Sequence, residues 1–197
     1  GLHSGSHCNR DSRKQNCSGR GTGRSDFTMR QKKQRILAVS GVKNSGKTTL
    51  ITKLLPELKK RGLEVAVIKH DGHDFQADVP DTDSWKYAQA GACGTCVFSG
   101  QKHMVIKYMP ALSTEKLIQT FSEADVILLE GVKYSEYPKI EVIRRKNSSK
   151  SVCDPLYLWG IVTDYRPEEL GETSGIPFFG LEESGRLTDY IMEKWSK

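Results

Sequence analysis

A glycine-rich segment at residues 41–50, GVKNSGKTTL, limits what this chain can fold into more than any other segment. It follows the apolar run ILAVS at 36–40, which predicts a buried strand, and it leads into a stretch with apolar residues at helical spacing. The spacing Gly-x4-Gly-Lys-Thr is that of a phosphate-binding loop (P-loop), in which backbone N–H groups and the N-terminal end of a helix converge on phosphate oxygens. The motif therefore predicts nucleotide binding by Gly41, Val42, Lys43, Asn44, Ser45, Gly46, Lys47, Thr48 and Thr49.

Thr48 and Glu130 are candidates for a magnesium site beside this loop. A hydroxyl in the P-loop can ligate Mg²⁺, and such an ion usually has a carboxylate nearby, at the end of another parallel strand. The run DVILLE places Glu130 at that edge, although the residue is also compatible with a solvated loop. Lys47 can reach the β and γ phosphates. We therefore expect Lys47 and Glu130 to be the catalytic residues, and Thr48 and Glu130 to hold the metal.

Polar residues also follow two other predicted strands. Lys69, His70 and Asp71 leave the run EVAVIK on the expected ligand side of the sheet, where they form either an anion or partner site or a solvated polar loop. Asp164 closes the apolar run LWGIVTD. A carboxylate that accepts hydrogen bonds from N1–H and the 2-amino group selects guanine over adenine, so Asp164 is a candidate for reading the base.

The basic charge of the chain is confined to its beginning. Residues 1–34 carry eight Lys or Arg against two Asp, which accounts for the whole net charge of +6. The rest is formally neutral, so bulk charge does not support nucleic-acid binding. Residues 1–28 almost lack large apolar side chains, and we interpret them as a disordered leader, or as one derived from an expression vector or from upstream translation. We expect residues 29–197 to form a P-loop GTP-binding domain.

The cysteines and the apolar runs favour a cytoplasmic protein. No run approaches the roughly 20 apolar residues that span a membrane. Outside the leader, three cysteines remain, and an odd number without a secretory signal fits a reducing compartment. The pairs His70-x2-His73 and Cys93-x2-Cys96 leave a zinc site or a redox pair as alternatives to ordinary packing cysteines.

The order of apolar runs predicts the fold class. Strands alternate with helices, which indicates an α/β protein, a three-layer P-loop NTPase sandwich with a mainly parallel central sheet. A short helix is expected to begin at a cap provided by Asp83 or Ser84. The runs TCVFS and HMVIKYM predict an added β-hairpin over residues 95–109. One small core cannot cover all the apolar residues of this hairpin, which predicts a homodimer. The apolar residues are Val97, Phe98, Met104, Ile106 and Met109.

Five segments together resemble one family. The segments GVKNSGKTTL, VIKHDGHDF, DVPDTDSWKYAQAGA, VILLEGVKYSEYPKIEVIRR and IVTD occur in the order and spacing of the molybdopterin-guanine dinucleotide biosynthesis protein B (MobB) family. The resemblance covers residues 34–197. Asp81 departs from it, since glycine is common there in the family's D-x-P-G-x-D pattern, and the loop's conformation or anion affinity is expected to differ. Cys93 and Cys96 are not part of the family pattern.

The resemblance implies a GTP-binding adaptor in molybdenum cofactor synthesis, using GTP and Mg²⁺. It implies a homodimer with an extra hairpin, which assists the guanylyltransferase that attaches GMP to molybdopterin, and whose own GTP hydrolysis is slow. Molybdopterin itself is a possible second ligand. By the resemblance, Gly41 to Thr49 are the phosphate loop, Lys69 and His70 a second-strand motif, and Glu130-Gly131 an acidic turn.

A kinase or activating enzyme that acts on a small anionic metabolite is the alternative. Kinases commonly add a mobile lid with an arginine that stabilises the transferring phosphoryl group. The nearest arginines here are Arg144, Arg145 and Arg166, and none lies in an evident lid. No catalytic base for water follows the P-loop either, so at most a slow GTPase is expected.

Overall fold

The structure is a computed structural model, and it describes residues 33–72, 75–171 and 175–197. Residues 1–28, interpreted above as a leader, lie outside the described part of the chain. Six strands form the central sheet: β1 (Arg35–Ser40), β2 (Val65–Lys69), β5 (Val126–Glu130), β6 (Lys139–Ile143), β7 (Leu158–Thr163) and β8 (Phe178–Phe179). Two more, β3 (Gly94–Phe98) and β4 (His103–Lys107), form a separate hairpin.

The central sheet has the order β2-β5-β1-β6-β7-β8, and every neighbouring pair is parallel. The predicted mainly parallel sheet is therefore confirmed, and it is parallel throughout. In such a sheet the carboxyl ends of all strands lie at one edge. The P-loop after β1, the end of β5 and the end of β7 therefore share that edge, which is where the candidate site lies.

The described residues include four α-helices, of which the first three connect strands and the last follows β8: α1 (Lys47–Lys60), α2 (Asp83–Gln89), α3 (Thr114–Gln119) and α4 (Ser184–Ser196). The apolar stripe of α1 is buried as its spacing predicts, through Leu50, Ile51, Leu54 and Leu58. Helix α1 continues through Pro56 and is followed by Gly62 at φ 74°, a left-handed conformation that commonly ends a helix.

The core lies on both faces of the sheet because buried residues in its central strands alternate between them. Leu37 and Leu128 pack with α1 and α4 on one face. Ala38 and Ile127 pack with Ile118 of α3 on the other. Helices on both faces of a parallel sheet give the three-layer α/β sandwich that the sequence predicts.

The hairpin β3–β4 is confirmed, with Thr95 paired to Ile106 and Val97 to Met104. It follows α2, which contacts β3. Helix α2 corrects one prediction: its cap is Thr82, whose hydroxyl accepts a hydrogen bond from the N–H of Trp85, and neither Asp83 nor Ser84. Threonine at this position serves the same purpose, since it satisfies an N–H that has no partner within the helix.

Candidate nucleotide-binding site

The P-loop has a backbone conformation that requires glycine. Gly41 has φ 137°, and a Cβ atom built on it would lie 2.5 Å from the carbonyl oxygen of Val142 and 2.8 Å from Oγ of Ser45. Gly46 has φ 98° and Asn44 has φ 62°. A side chain at position 41 would therefore collide with the neighbouring strand β6, so the sequence motif and the tertiary packing impose the same residue.

The side chain of Lys47 lies over the loop. Its Nζ donates hydrogen bonds to the carbonyl oxygens of Val42 at 2.8 Å and Gly41 at 3.4 Å. Burial lowers the pKa of Lys47, the charge of Glu130 acts in the opposite direction, and the charges of Lys69 and Lys133 lower it further. The ammonium is thus held at the mouth of the loop, where a phosphate would meet it.

Thr48 and Glu130 are brought together. The Thr48 hydroxyl donates a hydrogen bond of 2.9 Å to Oε1 of Glu130, and Glu130 is buried at the end of β5. The alternative of a solvated loop carboxylate is therefore wrong. One hydroxyl beside one buried carboxylate is a donor set of hard oxygens that fits Mg²⁺, provided that phosphates and water supply the remaining ligands.

Lys69 reaches the same carboxylate, with its Nζ 3.9 Å from Oε1 of Glu130. The N–H of His70 donates to the carbonyl oxygen of Glu130 at 3.0 Å. His70 and Asp71 are exposed, and Asp71 has interactions of its own. The predicted anion or partner residues thus lie on the β2 side of Glu130, next to the P-loop site.

Asp164 lies at the same edge and already has backbone and charge partners. Its Oδ1 accepts a hydrogen bond of 2.8 Å from the N–H of Arg145, and its Oδ2 lies 3.9 Å from Nε of Arg144. Arg145 in turn pairs with Glu169 and lies over the ring of Tyr165 at 4.2 Å. Each carboxylate oxygen has two lone pairs, so Asp164 keeps acceptor capacity for a base.

A crevice of about 90 Å³ lies beside the P-loop and α1. It is lined by Thr49 and Lys53 of α1, by Arg144 after β6, and by Leu181 and Glu182 after β8. Lys53 Nζ closes part of it by donating to the carbonyl oxygen of Leu181 at 3.0 Å and to Glu182 at 2.7 Å. The crevice borders the P-loop on the α1 side, opposite the Lys69 side.

The loop before α2 includes a residue in the left-handed backbone region. Asp81, at the position where glycine is common, has φ 69°. Aspartate tolerates this left-handed region better than most residues. Asp78 fixes the loop, because its Oδ1 accepts hydrogen bonds from the N–H of Val79 and the hydroxyls of Thr82 and Ser84. The backbone therefore keeps a glycine-type conformation without glycine.

The cysteines do not all pack in the core. Cys153 is buried, but Cys93 and Cys96 are exposed, so the packing interpretation is wrong for that pair. Across residues 33–72, 75–171 and 175–197, no group of three or more His, Cys, Asp or Glu side chains is placed to hold a metal ion. His73, part of the zinc alternative, lies outside the described residues.

In the described part of the chain, no helix is both long enough and apolar enough to cross a bilayer.

Three residues near the site were not identified from the sequence. Lys133 and Tyr134 follow the Glu130-Gly131 turn, and Lys133 Nζ lies 4.8 Å from the ring centroid of Tyr134. The Asn147 side chain lies 3.5 Å from the carbonyl oxygen of Lys43, which ties the loop after β6 to the P-loop. Their positions in the sequence could have identified them, because each residue follows a strand that ends at the ligand edge of the sheet.

The six-stranded parallel sheet and the loop after β1 define a protein of the P-loop NTPase fold class. A family model described as molybdopterin guanine dinucleotide synthesis protein B matches residues 36–164. The chain belongs to this MobB family, the molybdopterin-guanine dinucleotide biosynthesis adapter proteins, which confirms the resemblance and the fold.

Relatives in several bacteria have that description. The chain is 32% identical to the adapter protein of Haemophilus influenzae over 164 residues, which cover 81% of this chain and 88% of the relative. It is 38% identical to the Escherichia coli adapter protein over 116 residues, 55% of this chain and 65% of the relative. The crystal structure of Bacillus subtilis MobB matches with a TM-score of 0.64 and 26% identity, over 81% of this chain and 97% of that one.

Proposed function

We propose that this protein binds GTP with Mg²⁺ and acts as an adaptor for the guanylyltransferase of molybdopterin guanine dinucleotide synthesis. The observation that carries the proposal is the preformed P-loop. Gly41 leaves space that a Cβ would fill, Lys47 lies over the loop carbonyls, and the Thr48 hydroxyl faces the buried Glu130. Membership of the adapter family supports the part of the proposal that places the protein in molybdopterin-guanine dinucleotide synthesis.

The triphosphate would be held by the chain's own backbone and by one ammonium. The N–H groups of residues 41–49 and the N-terminal end of α1 offer donors to phosphate oxygens, and Lys47 offers a charge-assisted hydrogen bond. Thr48 and Glu130 would hold Mg²⁺ directly or through water. When bound, Mg²⁺ neutralises charge on the phosphate oxygens.

Guanine selection is assigned to Asp164. It lies at the ligand edge after β7, with its side chain about one-third exposed at 33%. The N–H of Arg145 fixes the orientation of the carboxylate, which favours a base-reading role over a mobile surface acid. If ATP displaces labelled GTP as well as GDP does, Asp164 does not read guanine.

Slow hydrolysis follows from how the charged groups are paired. Glu130 is engaged by the Thr48 hydroxyl and by Lys69, an arrangement suited to the metal side of the site and unsuited to activating water. Arg144 and Arg145 face Asp164 and Glu169. Paired arginines do not supply a mobile lid, which favours the adaptor over the kinase alternative.

The test of nucleotide binding is calorimetry with Lys47→Ala. We expect GTP affinity to fall by about a hundredfold or more, because the variant removes a charge-assisted contact and leaves phosphate charge unneutralised. Lys59→Ala, which removes the same charge near the far end of α1, should leave affinity unchanged. Equal affinity in the two variants would refute the site.

We also propose a homodimer built through the arm, defined as residues 75–109. Nine of the twelve large hydrophobic side chains that are exposed in the described chain lie in it, including Phe98 at 81% exposure. Val97, Met104 and Met109 of the predicted set are exposed too, whereas Ile106 is half-buried. A second copy that packs on this surface removes its apolar area from water. Light scattering that gives a monomer at micromolar concentration would contradict the dimer.

The adaptor role itself is tested by reconstitution in the reducing conditions of the cytoplasm, where we place the protein. Adding this chain with GTP to the guanylyltransferase should raise the guanylylation of molybdopterin. The matched control is Lys47→Ala, which should not. Because the guanylyltransferase needs GTP as its own substrate, GTP is present in every sample, and an equal increase with Lys47→Ala would show that the adaptor works without its bound nucleotide.

A further inference from the structure

We propose that Cys96 and His103 of the arm form one half of a zinc site, which a second copy of the chain completes with the same two residues. The ion then has two thiolate and two imidazole ligands, a tetrahedral set that Zn²⁺ favours. The inference rests on the homodimer proposed above, and it adds a metal ion and the face of the arm that meets the partner. It differs from the zinc alternative within one chain, which needs both arm cysteines and two histidines after β2.

The first step is the pairing of the two hairpin strands. The N–H of Ser99 donates to the carbonyl oxygen of Lys102 at 2.8 Å, so these residues form a hydrogen-bonded pair. In an antiparallel ladder such pairs alternate with non-hydrogen-bonded pairs, whose side chains lie closer together. The next pair, Phe98 and His103, is therefore not hydrogen-bonded. The same holds for the pair that contains Cys96, two positions further on.

The second step is the distance between the two ligands. Cys96 is the register partner of Val105, which lies two residues from His103 along β4. Cys96 and His103 are thus diagonal neighbours on one face of the hairpin, and the Cβ atoms of such neighbours are about 7 Å apart. Zinc lies about 2.3 Å from a thiolate sulfur and about 2.1 Å from an imidazole nitrogen. With the lengths of both side chains added, these bonds span the gap, so one copy offers two ligands to one ion.

The third step is that this face of the hairpin is uncovered. Cys96 and His103 are exposed on it, together with Phe98 at 81% and Val105 at 52% exposure. The opposite face is partly covered, since Thr95 is buried there. Among the residues that the structure describes, the side chains of Cys96 and His103 have no hydrogen-bond partner. Both ligands are therefore available to a second copy.

The fourth step is the position of Cys96 at the middle of the uncovered face. It is the third of five residues in β3, and its partner Val105 is the third of five in β4. In a two-fold dimer the same patch meets itself, and residues near the axis contact their own counterparts. An axis through the centre of this face brings the two Cys96 thiols together, each with its own His103. The site is incomplete until the second copy binds.

The charge of the assembled site suits its apolar surroundings. Each thiol loses a proton when it binds zinc, so two protons pass to the solvent and two thiolates balance the charge of Zn²⁺. The imidazoles bind in their neutral form. The complex is neutral, and its burial beside Phe98 and Val105 therefore avoids the cost of burying an unpaired charge. Sulfur and nitrogen ligands also favour Zn²⁺ over Mg²⁺ and Ca²⁺, which prefer oxygen.

Cys93 does not take part, although it forms a C-x2-C motif with Cys96. Its carbonyl oxygen accepts a hydrogen bond of 3.0 Å from the N–H of Tyr108, so the ladder of the hairpin includes it. Residues three apart in a strand lie on opposite faces, about 10 Å from each other. The two cysteines of one chain therefore do not share an ion, and Cys93 is a matched control for Cys96.

The experiment uses the whole protein, freed of metal with a chelator and kept reduced with a phosphine, so that no dimer is a disulfide. Zn²⁺ alone is the probe. Calorimetry measures its binding, and sedimentation measures the dissociation constant of the dimer. We expect one Zn²⁺ per two chains. Because binding and dimerisation are linked, saturating Zn²⁺ should lower the dissociation constant of the dimer by about a hundredfold.

The variants identify the ligands. Cys96→Ser and His103→Gln each remove one ligand from both copies, and each should weaken zinc binding by about a hundredfold or more. Both residues are exposed, so neither change should affect folding. Cys93→Ser should bind zinc like the wild type. Zinc binding by Cys96→Ser as tight as that of the wild type would overturn the site.

Labelling and a spectroscopic probe check the geometry. Without metal, both arm cysteines should react with iodoacetamide, and Zn²⁺ should protect Cys96 and leave Cys93 reactive, as read by peptide mass spectrometry. Co²⁺ in place of Zn²⁺ should give the absorption of a tetrahedral ion with sulfur ligands. Equal protection of both cysteines, or one ion per chain with no effect on the dimer, would refute a site shared between two copies.

Failure of the homodimer gives a different result. The metal-free protein is then a monomer, and a dimer that forms on addition of Zn²⁺ and requires Cys96 would still support the site. A metal-free dimer that does not respond to Zn²⁺ would keep the proposed homodimer and refute the site. A chain that stays monomeric with and without Zn²⁺ would refute both.

Discussion

The P-loop sheet and the arm use apolar residues in opposite ways. In the sheet, strands β1 and β5 bury nearly every side chain between helices on both faces. In the arm, the hairpin has exposed side chains on both faces, such as Val97 on one and Phe98 on the other. A short two-stranded sheet cannot cover itself. The sheet is thus complete within one chain, whereas the arm lacks a cover that a second chain can provide.

The largest expected contrast is in thiol reactivity. Burial, and then the charge of Glu141, raise the pKa of Cys153 from 9.0 to about 12. That shift lowers its thiolate fraction at neutral pH about a thousandfold. Cys93 and Cys96 of the arm are exposed. We expect iodoacetamide to label both arm cysteines within minutes and Cys153 only after unfolding, as read by peptide mass spectrometry.

The same shift gives a pH dependence. A raised thiol pKa contributes stability that is fully present below the unfolded value of about 9 and is lost as the pH rises towards about 12. Cys153→Ala should therefore lose less stability than the wild type between these two pH values. In the labelling experiment above, rapid reaction of Cys153 with iodoacetamide in the folded protein would contradict the expected protection, and it would show that the core around Cys153 opens to solvent.

A core truncation should be the most destabilising single change. Leu128 is fully buried in β5, packed with α1 and α4. Leu128→Ala should reduce the free energy of unfolding by about 3 kcal/mol, through lost transfer energy and a cavity. Val105→Ala in the arm should change it by less than about 1 kcal/mol. Urea denaturation at low protein concentration measures both, and equal losses would show that the arm is covered within one chain.

Gly41→Ala should damage both stability and the site. Its Cβ would collide with the carbonyl oxygen of Val142, at a φ that strains any side chain. We expect a loss of about 2 to 3 kcal/mol and loss of GTP binding. The control is Gly62→Ala, also at positive φ but with nothing within 4 Å of the added atom, which should lose about 1 kcal/mol and bind GTP normally. If the control loses as much, backbone strain alone explains the effect.

The smallest change expected is a gain in the arm. Asp81 has φ 69° and is exposed. Asp81→Gly relieves strain but frees the unfolded chain, so the net gain should be about 0.5 kcal/mol. Asp83→Gly, at the first residue of α2, should instead destabilise by about 1 kcal/mol, because it removes the acid of the first helical turn and frees the unfolded chain. A loss at both positions would mean that the Asp81 side chain is needed in this loop.

The sequence by itself determined the fold class, the P-loop and the family. Short apolar runs, a motif of fixed spacing and helical stripes are local patterns, because each depends on the geometry of one strand, turn or helix. The same local reasoning placed Glu130 at the ligand edge and identified the hairpin. It failed at the cap of α2, where three neighbouring residues were all suitable cap types.

Only the tertiary structure decided which side chains meet and which are covered. The shared contact of Thr48 and Lys69 with Glu130 joins helix α1 and strands β2 and β5, although Glu130 is distant in sequence from the other two residues. Cys93 and Cys153 differ in burial although their residue type is the same. Lys139 is fully buried, with Nζ donating to the carbonyl oxygen of Ser135, and burial lowers its pKa. Which side chains are buried, and which meet at the edge of the sheet, depends on strand order, and a local sequence pattern does not encode strand order. The same order determines which charged side chains lie around the P-loop.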